Sequence, residues 1–380
     1  MTEWKTYKIG DIGKVITGKT PKTTIAENYG GAIPFLTPSD DLSSKYAPQT
    51  TKTLAERGLS EVKNCLLPSN AICVSCIGSD LGKVVKIVKP SVTNQQFNSI
   101  IPSSDFDADF VYYLMTIVGK QLNYLSKTST AVPIINKTQF SNFEVCIPPL
   151  EEQRRIAGIL SAIDDKIENN RRINTNLELQ AQALYKQWFV DSSTVKLGDV
   201  VKTTSGGTPS RSHMEFYVGK YGWVKSKELN SSFITKTEET ITDDAIAKSA
   251  AKLLPAKSIL IAMYGATVGQ YAILSQPMTC NQAVCALLPN ENYPYTYLFM
   301  VAKNIKEELA NKAIGSAQQN ISQVIIKDID ISSDIEKIKQ FHKIVCPHFE
   351  VMEKNQKENE TLATLRDTLL PKLMNGELKM

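Results

Sequence analysis

An internal repeat is the strongest constraint on the fold, because one pattern of residues occurs twice along the chain. The segment Tyr-Lys-Ile-Gly-Asp-Ile at 7–12 returns as Val-Lys-Leu-Gly-Asp-Val at 195–200. The segment Thr-Gly-Lys-Thr-Pro at 17–21 returns as Ser-Gly-Gly-Thr-Pro at 205–209, also 188 positions later. Glycines, a proline and an Asn-Gln pair further along recur with a lag of 187, and Ile-Asn at 135–136 returns as Ile-Ser at 321–322 with a lag of 186. So steady a lag predicts two copies of one domain with few insertions.

Each copy is predicted to mix short strands with helices. An apolar run that resembles a strand opens each copy, and a loop rich in glycine, threonine and proline follows it. Further short strands come next, and the apolar patterns at 110–114 and 295–299 predict a helix late in each copy. At 380 residues the chain is long enough for two such domains and the segments that connect them.

Two long helices are predicted, one after each copy. Residues 148–192 and 334–380 carry apolar side chains at sevenfold spacing. Asparagines interrupt these rows, and an asparagine in such a seam fixes the register of a helix pair. We expect the two helices to pack together antiparallel; the alternative is a helical hairpin that packs only against its own domain. The apolar positions expected on these subunit-docking helices are Ile156, Ile163, Leu177, Leu184, Val345, Met352, Leu362 and Leu369.

Catalytic signatures are absent from the sequence, so we expect no active site in this chain. It has three histidines, none of them in the first copy. Residues 78–83 differ from a phosphate-binding P-loop in glycine spacing, and Val84 follows the lysine where a P-loop has Ser or Thr. Cys73 and Cys76 have no second pair at zinc spacing, which favours buried structural cysteines over a metal site. Asp11 and Asp199 stand beside glycine and are interpreted as local capping groups.

Composition indicates a globular chain, and we expect it in the cytoplasm. No apolar run approaches about 18 residues, and the first residues lack a signal-peptide pattern. The seven cysteines have no cysteine counterparts between the copies, which argues against a disulfide framework. The net charge of +4 is small, but the helical segments are together close to neutral. The positive excess therefore falls on the repeated domains, where a polyanion would bind.

The loops of the repeated domains carry the side-chain types that contact nucleic acid. Lys and Arg bind phosphates and guanine, Asn and Gln suit adenine, and Ser and Thr bind phosphates. Two similar surfaces in one chain also suit duplex DNA, which has two halves. Landmark glycines repeat whereas polar loop residues differ, so the copies are predicted to recognise unlike half-sites. The DNA-binding candidates are Lys19, Thr20, Lys22, Ser79, Lys83, Gln95, Gln96, Thr208, Arg211, Lys225, Lys227, Tyr264, Thr267, Gln270, Ser316, Gln318, Gln319 and Asn320.

The chain resembles the specificity (S) subunits of type I restriction-modification systems over essentially its whole length. The resemblance is carried by Lys-Ile-Gly-Asp-Ile at 8–12, Gly-Gly-Thr-Pro-Ser at 206–210 and Tyr-Gly-Ala-Thr-Val-Gly at 264–269. It is also carried by Ile-Pro-Pro-Leu-Glu-Glu-Gln-Arg-Arg-Ile at 147–156 and Leu-Leu-Pro-Lys-Leu-Met-Asn-Gly-Glu at 369–377. The order, spacing and duplication of these motifs make the set specific.

This resemblance implies a non-catalytic subunit of an adenine-N6 methyltransferase and ATP-dependent endonuclease complex. Each target recognition domain would read one half of a bipartite, asymmetric site in double-stranded DNA. The helices would form a coiled coil that sets the spacer and docks two methyltransferase (M) subunits, and restriction (R) subunits would join for cleavage. No cofactor or metal is expected in this chain, because S-adenosylmethionine would lie in the M subunits and ATP and Mg in the R subunits.

The predicted fold class is α+β: two similar mixed α/β target recognition domains separated by two long antiparallel helices that form a coiled coil, with pseudo-twofold symmetry. The domains are expected at 1–147 and 193–333, and the spacer helices at 148–192 and 334–380. Two alternatives remain open, a coiled-coil scaffold that does not read DNA and the recognition portion of a fused restriction-methylation enzyme. The second would need a methyltransferase signature such as Asn-Pro-Pro-Tyr, which the sequence lacks.

Overall fold

The chain divides into two compact units, and each unit contains one copy of the repeat. The first unit combines Met1–Glu168 with Thr361–Met380, and the second is Asn169–Glu360. The fold is known from a computed structural model. It describes residues 4–78, 81–127, 134–189, 192–229, 232–314 and 320–378.

The first unit holds three small sheets. Its strands are β1 (Lys5–Lys8), β2 (Gly13–Thr17), β3 (Tyr29–Leu36), β4 (Lys52–Leu54), β5 (Ile72–Ser75), β6 (Val84–Lys86), β7 (Val92–Thr93), β8 (Phe97–Pro102) and β9 (Glu144–Ile147). An antiparallel sheet has the order β2-β8-β5-β6, a second sheet has the order β4-β3-β7, and β1 pairs with β9.

The second unit repeats these sheets with one addition. Its strands are β10 (Thr194–Lys196), β11 (Lys202–Ser205), β12 (Tyr221–Val224), β13 (Phe233–Ile234), β14 (Thr240–Ile241), β15 (Ile259–Ala262), β16 (Tyr271–Leu274), β17 (Thr279–Cys280), β18 (Val284–Leu288) and β19 (Asp330–Ser332). The main sheet has the order β11-β18-β15-β16-β13, the second has β14-β12-β17, and β10 pairs with β19. The extra strand β13 runs parallel to β16 at the sheet edge.

The helices follow the same repeat. They are α1 (Ile9–Ile12), α2 (Glu56–Glu61), α3 (Ala108–Lys127), α4 (Lys137–Ser141), α5 (Leu150–Phe189), α6 (Leu197–Val200), α7 (Asp243–Ala247), α8 (Tyr295–Ile314), α9 (Gln323–Lys327) and α10 (Ile335–Met374). The helices predicted late in each copy are confirmed as α3 and α8. Across the described residues, no helix has the length and apolarity that a membrane crossing requires.

The apolar run that opens each copy is not a single strand, so that prediction was wrong. β1 is followed by the single turn α1, and β10 is followed by α6. Ile9 and Ile12 are both fully buried, which is the three-residue spacing of a helix rather than the alternation of a strand. The Lys8 N–H donates to the Asp11 carboxylate at 2.9 Å, so the local capping role predicted for Asp11 is confirmed.

Unusual backbone conformations recur with the sequence lag. Gly82 and Gly269 have φ angles of 91° and 80°, and a Cβ on either would lie within 3 Å of a carbonyl oxygen on α3 or α8. Among the described residues, the non-glycine residues with positive φ are Asn70 and Lys257, at 70° and 69°. These are again 187 positions apart. Each copy therefore folds its turns in the same way, and glycine is needed where the turn touches the helix.

In the first unit, parts of both long helices pack on the repeat. Ile156 and Leu160 of α5 share a buried core with Leu370 and Leu373 of α10 and with Phe110 of α3. The Arg366 guanidinium on α10 pairs with the Asp164 carboxylate on α5 at 2.7 Å. Residue numbers thus rise along one helix as they fall along the other, which is antiparallel packing.

In the second unit, asparagines join the same two helices. Asn170 donates to the Asn359 side-chain carbonyl at 2.9 Å, and Asn355 donates to the Asn174 side-chain carbonyl at 2.8 Å. Asn170 and Asn355 are buried, and they are 185 positions apart, as are Asn174 and Asn359. The predicted antiparallel pairing and the asparagines in its seam are confirmed. The four-segment domain division stays a prediction, since each compact unit includes parts of both helices.

Candidate nucleic-acid interface

The Gly-Thr-Pro loop of the first copy is tied to the segment that carries the Asn-Gln pair. The Lys19 N–H donates to the Thr93 carbonyl at 2.9 Å. The Thr20 hydroxyl donates to the side-chain carbonyl of Gln95 at 2.7 Å. The structure therefore brings three predicted site residues together, with the Lys19 side chain exposed at the rim.

The corresponding loop of the second copy is held by the same bonds. The Gly207 N–H donates to the Cys280 carbonyl at 2.9 Å, and the Thr208 hydroxyl donates to the side-chain carbonyl of Gln282. Each of these four residues is the counterpart of one in the first copy, at a lag of 187 or 188. The loop frame is common to both copies, whereas the Lys19 position is glycine in the second.

A tyrosine anchors each loop from its other side. The Tyr29 hydroxyl donates to the Pro21 carbonyl at 2.9 Å, and the Tyr217 hydroxyl donates to the Pro209 carbonyl at 2.6 Å. In the second copy, the Trp223 indole N–H adds a bond of 3.0 Å to the Gly207 carbonyl. Rigidly held loops of this kind can present base-reading side chains with little ordering cost on binding.

The glycine-bracketed turn of the second copy presents Tyr264. Its backbone forms an antiparallel bridge with Asn320, as Ile77 does with Ile134 in the first copy. The Thr267 hydroxyl donates to the Tyr264 carbonyl at 3.0 Å, which closes the turn. Tyr264 and Asn320, both predicted from sequence, are thus adjacent and exposed.

Three predicted cations of the second copy are paired with two glutamates. Arg211 donates to both carboxylate oxygens of Glu239, at 2.7 and 3.3 Å. Lys225 contacts both Glu239 and Glu238, and Lys227 lies 2.7 Å from Glu238. The hydrogen bond to Glu239 raises the pKa of Arg211, and the bonds from Lys227 and Lys225 lower the pKa of Glu238. We call Arg211, Lys225 and Lys227 the basic cluster, and Glu238 and Glu239 the glutamate pair.

The first copy has the same backbone here with different side chains. The Thr51 N–H donates to the Asp40 carboxylate at 2.8 Å, and the Glu238 N–H donates to the Glu228 carboxylate at 2.8 Å. Thr51 and Glu238 are therefore equivalent. The next residue along is a lysine in the first copy and a glutamate in the second, so the surface charge differs on a shared frame.

The predicted DNA-binding residues that the structure describes all lie at or near the surface. Exposed side chains belong to Lys19, Lys22, Lys83, Gln95, Thr208, Arg211, Lys227, Tyr264 and Asn320. Half-buried side chains belong to Thr20, Gln96, Lys225, Thr267 and Gln270. The remaining candidates lie outside the described residues: Ser79, Ser316, Gln318 and Gln319. Their contact with DNA stays a prediction.

A lysine next to the second loop was missed by the sequence reasoning. Lys252 donates to the Thr204 hydroxyl at 2.8 Å, beside that loop. The repeat gave no signal for it, because its counterpart 187 positions earlier is Cys65.

Part of the apolar row predicted on the subunit-docking helices faces inward. Ile156, Val345 and Met352 are at most 1 % exposed and lie in the cores of their own units. The chain's own sheets and helices cover these three side chains, and the docking role of the helices stays a prediction. The other members of the row are half-buried: Ile163, Leu177, Leu184, Leu362 and Leu369.

The outward face of α10 carries a separate apolar row. Ile344, Val351 and Leu365 are 44 %, 43 % and 46 % exposed. Their spacing of 7 and 14 residues places them on one side of a long helix. This row is a better candidate for subunit docking than the inward one, and its sevenfold spacing was visible in the sequence.

The described residues contain no group of three or more side chains arranged to hold a metal ion. Cys73 and Cys76 are buried thiols outside any disulfide, as predicted. Burial raises the pKa of Cys73 to about 12 and that of Cys76 to about 11, so both stay protonated at neutral pH.

The fold and loops together define a duplicated recognition protein whose two domains share paired helices.

Comparison with known proteins identifies the family. Residues 1–179 and 190–340 match the type I restriction modification DNA specificity domain. The chain is 28% identical to the type I restriction enzyme MjaIX specificity subunit of Methanocaldococcus jannaschii, over 100% of this chain and 94% of that protein. It is 25% identical to the HindI specificity subunit of Haemophilus influenzae, over 100% of both chains.

A solved structure agrees with this fold. The S subunit of the type I restriction-modification system from M. genitalium superposes with a TM-score of 0.61 at 16% identity, covering 100% of this chain and 97% of that one. The chain belongs to the type I restriction-modification DNA specificity family, and it is a non-catalytic specificity subunit with two recognition domains. This finding supports the DNA-specificity interpretation over the scaffold and fused-enzyme alternatives.

Proposed function

We propose that each recognition domain reads one half of a bipartite, asymmetric sequence in duplex DNA. The observation that carries this proposal is that the two loops have the same backbone arrangement but different exposed side chains. The same hydrogen bonds hold residues 18–21 and 206–209, whereas the exposed side chains around them differ in type and charge. Equal frames place both loops alike against a duplex, and unlike side chains select different bases.

The two paired helices are proposed to set the distance between the half-sites and to dock two methyltransferase subunits. Both helices are 40 residues long, and the exposed row of Ile344, Val351 and Leu365 offers an apolar face for a partner. The partners would supply S-adenosylmethionine for adenine-N6 methylation. Restriction subunits using ATP and Mg would join the same assembly for cleavage.

The first experiment is co-expression of this chain with the methyltransferase subunit of its own system, followed by sequencing of host DNA for N6-methyladenine. A split motif with two unlike halves would support the proposal and supply the target. An active, stable complex that methylates no defined motif would contradict it.

Modular reading is tested by replacing residues 1–147 with the same region of another specificity subunit. The expected result is a motif in which one half changes and the other stays. A change in both halves, or in neither, would contradict independent reading by the two domains.

The spacer role is tested by inserting about one helical turn into both α5 and α10. One turn adds about 5.4 Å, against about 3.4 Å per base pair, so the motif spacer should lengthen by one or two base pairs. The control is a variant in which residues at the same two places in α5 and α10 are substituted and the helix lengths stay unchanged. An unchanged spacer in an active complex would remove the ruler role.

A further inference from the structure

We propose that Glu238 and Glu239 occupy, in the DNA-free second domain, the place of a DNA phosphate, and that the phosphate backbone displaces them on binding. This inference rests on the proposed DNA-reading function of that domain. It assigns to the glutamate pair a role in specificity: the pair competes with non-target DNA for the basic cluster of Arg211, Lys225 and Lys227.

The geometry of the cluster is that of an anion site. Two N–H groups of Arg211 donate hydrogen bonds to the two carboxylate oxygens of Glu239. A guanidinium group makes the same forked arrangement with a phosphate. Lys225 contacts both glutamates, and Lys227 contacts Glu238 at 2.7 Å. Three cations thus converge on two neighbouring carboxylates, whose oxygens resemble those of a phosphodiester in charge and hydrogen-bonding capacity.

Arg211 is held in place by aromatic rings as well as by Glu239. Its guanidinium carbon lies 4.0 Å from the centre of the Tyr217 ring and 5.2 Å from that of Trp223. Both rings are fixed by hydrogen bonds to the loop at 207–209. The arginine therefore keeps its position when its anion changes, which is what a prepared phosphate site requires.

The first copy shows that the cations and the acids go together. At the positions of Arg211, Lys225 and Lys227 it has uncharged Thr23, Thr37 and Ser39. At the positions of the glutamates it has Thr51 and Lys52. A bond from the backbone of this strand to Asp40 or Glu228 is present in both copies, so the strand is held there without the side chains of Glu238 and Glu239.

The outer part of the cluster is exposed, whereas its inner part is shielded. The side chains of Arg211, Lys227 and Glu238 are 51 %, 60 % and 53 % exposed, and those of Lys225 and Glu239 are 18 % and 27 % exposed. The exchange is therefore expected to begin at the Lys227–Glu238 pair. Water and salt weaken such pairs, so a phosphate approaching the cluster meets a small barrier. Because the glutamates must leave first, arbitrary DNA binds weakly, and base contacts at the correct site have to complete the binding.

The test measures binding of the chain, in complex with its methyltransferase, to a duplex that lacks the target motif. Glu238→Gln with Glu239→Gln keeps the shape and removes both charges. We expect this variant to bind non-target DNA about tenfold more tightly at low salt, with a steeper dependence of affinity on salt. Target affinity should rise less, so the ratio of target to non-target affinity should fall.

The matched control is Glu307→Gln with Glu308→Gln, which removes two adjacent exposed carboxylates from α8 of the same unit. It should leave non-target binding within about twofold of the parent. A second variant, Arg211→Gln, keeps the test informative if the glutamate variant unfolds. It should weaken target binding and reduce the salt dependence by about one phosphate contact.

Unchanged non-target binding in the glutamate variant, with normal thermal stability, would overturn the inference. So would equal tightening in the control variant, because that would show a general charge effect. Neither result touches the proposed function, which depends on the methylation motif of the parent complex. Absence of a bipartite motif would instead remove the proposed function, and the inference with it.

Discussion

The two units hold the long helices with different chemistry at equivalent positions. In the first unit, a buried polar network lies beside the apolar core that the helices share with the repeat. The Asp164 carboxylate accepts from the Tyr113 hydroxyl at 2.6 Å and from Arg366 at 2.7 Å. Beside it, the buried Lys45 ammonium pairs with Asp109 at 2.8 Å and donates to a serine on α5.

In the second unit, apolar and aromatic side chains take these places. The counterparts of Tyr113, Asp164 and Arg366 at the repeat lags are Met300, Phe349 and Ala181. All three are buried. Around them, Phe341 packs against Phe189, with ring centres 5.6 Å apart, and against further rings of α5.

The difference shows that one backbone arrangement can be held together by either polar or aromatic side chains at equivalent positions. The aromatic contact gains stability from buried area and tolerates small shifts. The polar contact is directional, because each carboxylate and cation must meet a partner in a set geometry. Loss of a single partner should therefore be costly in the first unit, whereas loss of volume should be costly in the second.

The largest expected effect is in the aromatic contact. Phe341→Ala should lower the free energy of unfolding by about 4 kcal/mol, because it empties space beside three rings of α5. Urea unfolding would measure the change, and hydrogen exchange would place it in the second unit. Ile344→Ala, exposed on the same helix, is the control and should cost under about 0.5 kcal/mol. Equal losses would contradict the assigned packing.

The polar contact should be nearly as sensitive. Arg366→Ala leaves the Asp164 charge buried without its cation and should cost about 3 kcal/mol. Adding Asp164→Phe and Tyr113→Met reproduces the side chains of the second unit and should recover most of that loss. If the triple variant were no more stable than Arg366→Ala, the two interfaces would not be interchangeable on one frame.

A smaller effect is expected at the asparagine seam. Asn170→Leu together with Asn355→Leu replaces two buried amides by apolar side chains and should raise the free energy of unfolding by about 1 kcal/mol or less. The register should then become less defined. Chemical denaturation would measure stability, and the methylated motif would report a second spacer length. A single spacer with unchanged stability would remove the register role.

The smallest effect is the acid sensitivity of the first unit. Although burial raises it, the pKa of Asp109 is held below its ordinary value of 3.8 by the ammonium groups of Lys45 and Lys86. A carboxylate with a lowered folded-state pKa contributes stability above its unfolded value, and that contribution is lost as the pH falls through the folded pKa. The unfolding free energy of the first unit should decline below about pH 4. Asp109→Asn should flatten that decline, measured by denaturation at several pH values.

Much of the fold was predictable because its signals are local or periodic. The lag near 187 predicted the duplication, and sevenfold spacing predicted α5 and α10 to within a few residues. Asn170 and Asn355 were recognisable as seam positions for the same reason. The prediction of an opening strand was wrong because a short segment with few apolar residues fits a strand and a helical turn equally. Only the burial of both Ile9 and Ile12 separates the two.

Residue identities and their spacing were enough to predict the repeat, the two helices and the type of side chain at each loop, because each of these is a property of the linear order of residues. The tertiary structure alone decided which charges meet. Arg211 finds Glu239 across 28 positions, and Arg366 finds Asp164 across 202. Such pairings arise from how folding places distant segments side by side, and a charged side chain carries no signal that names its partner.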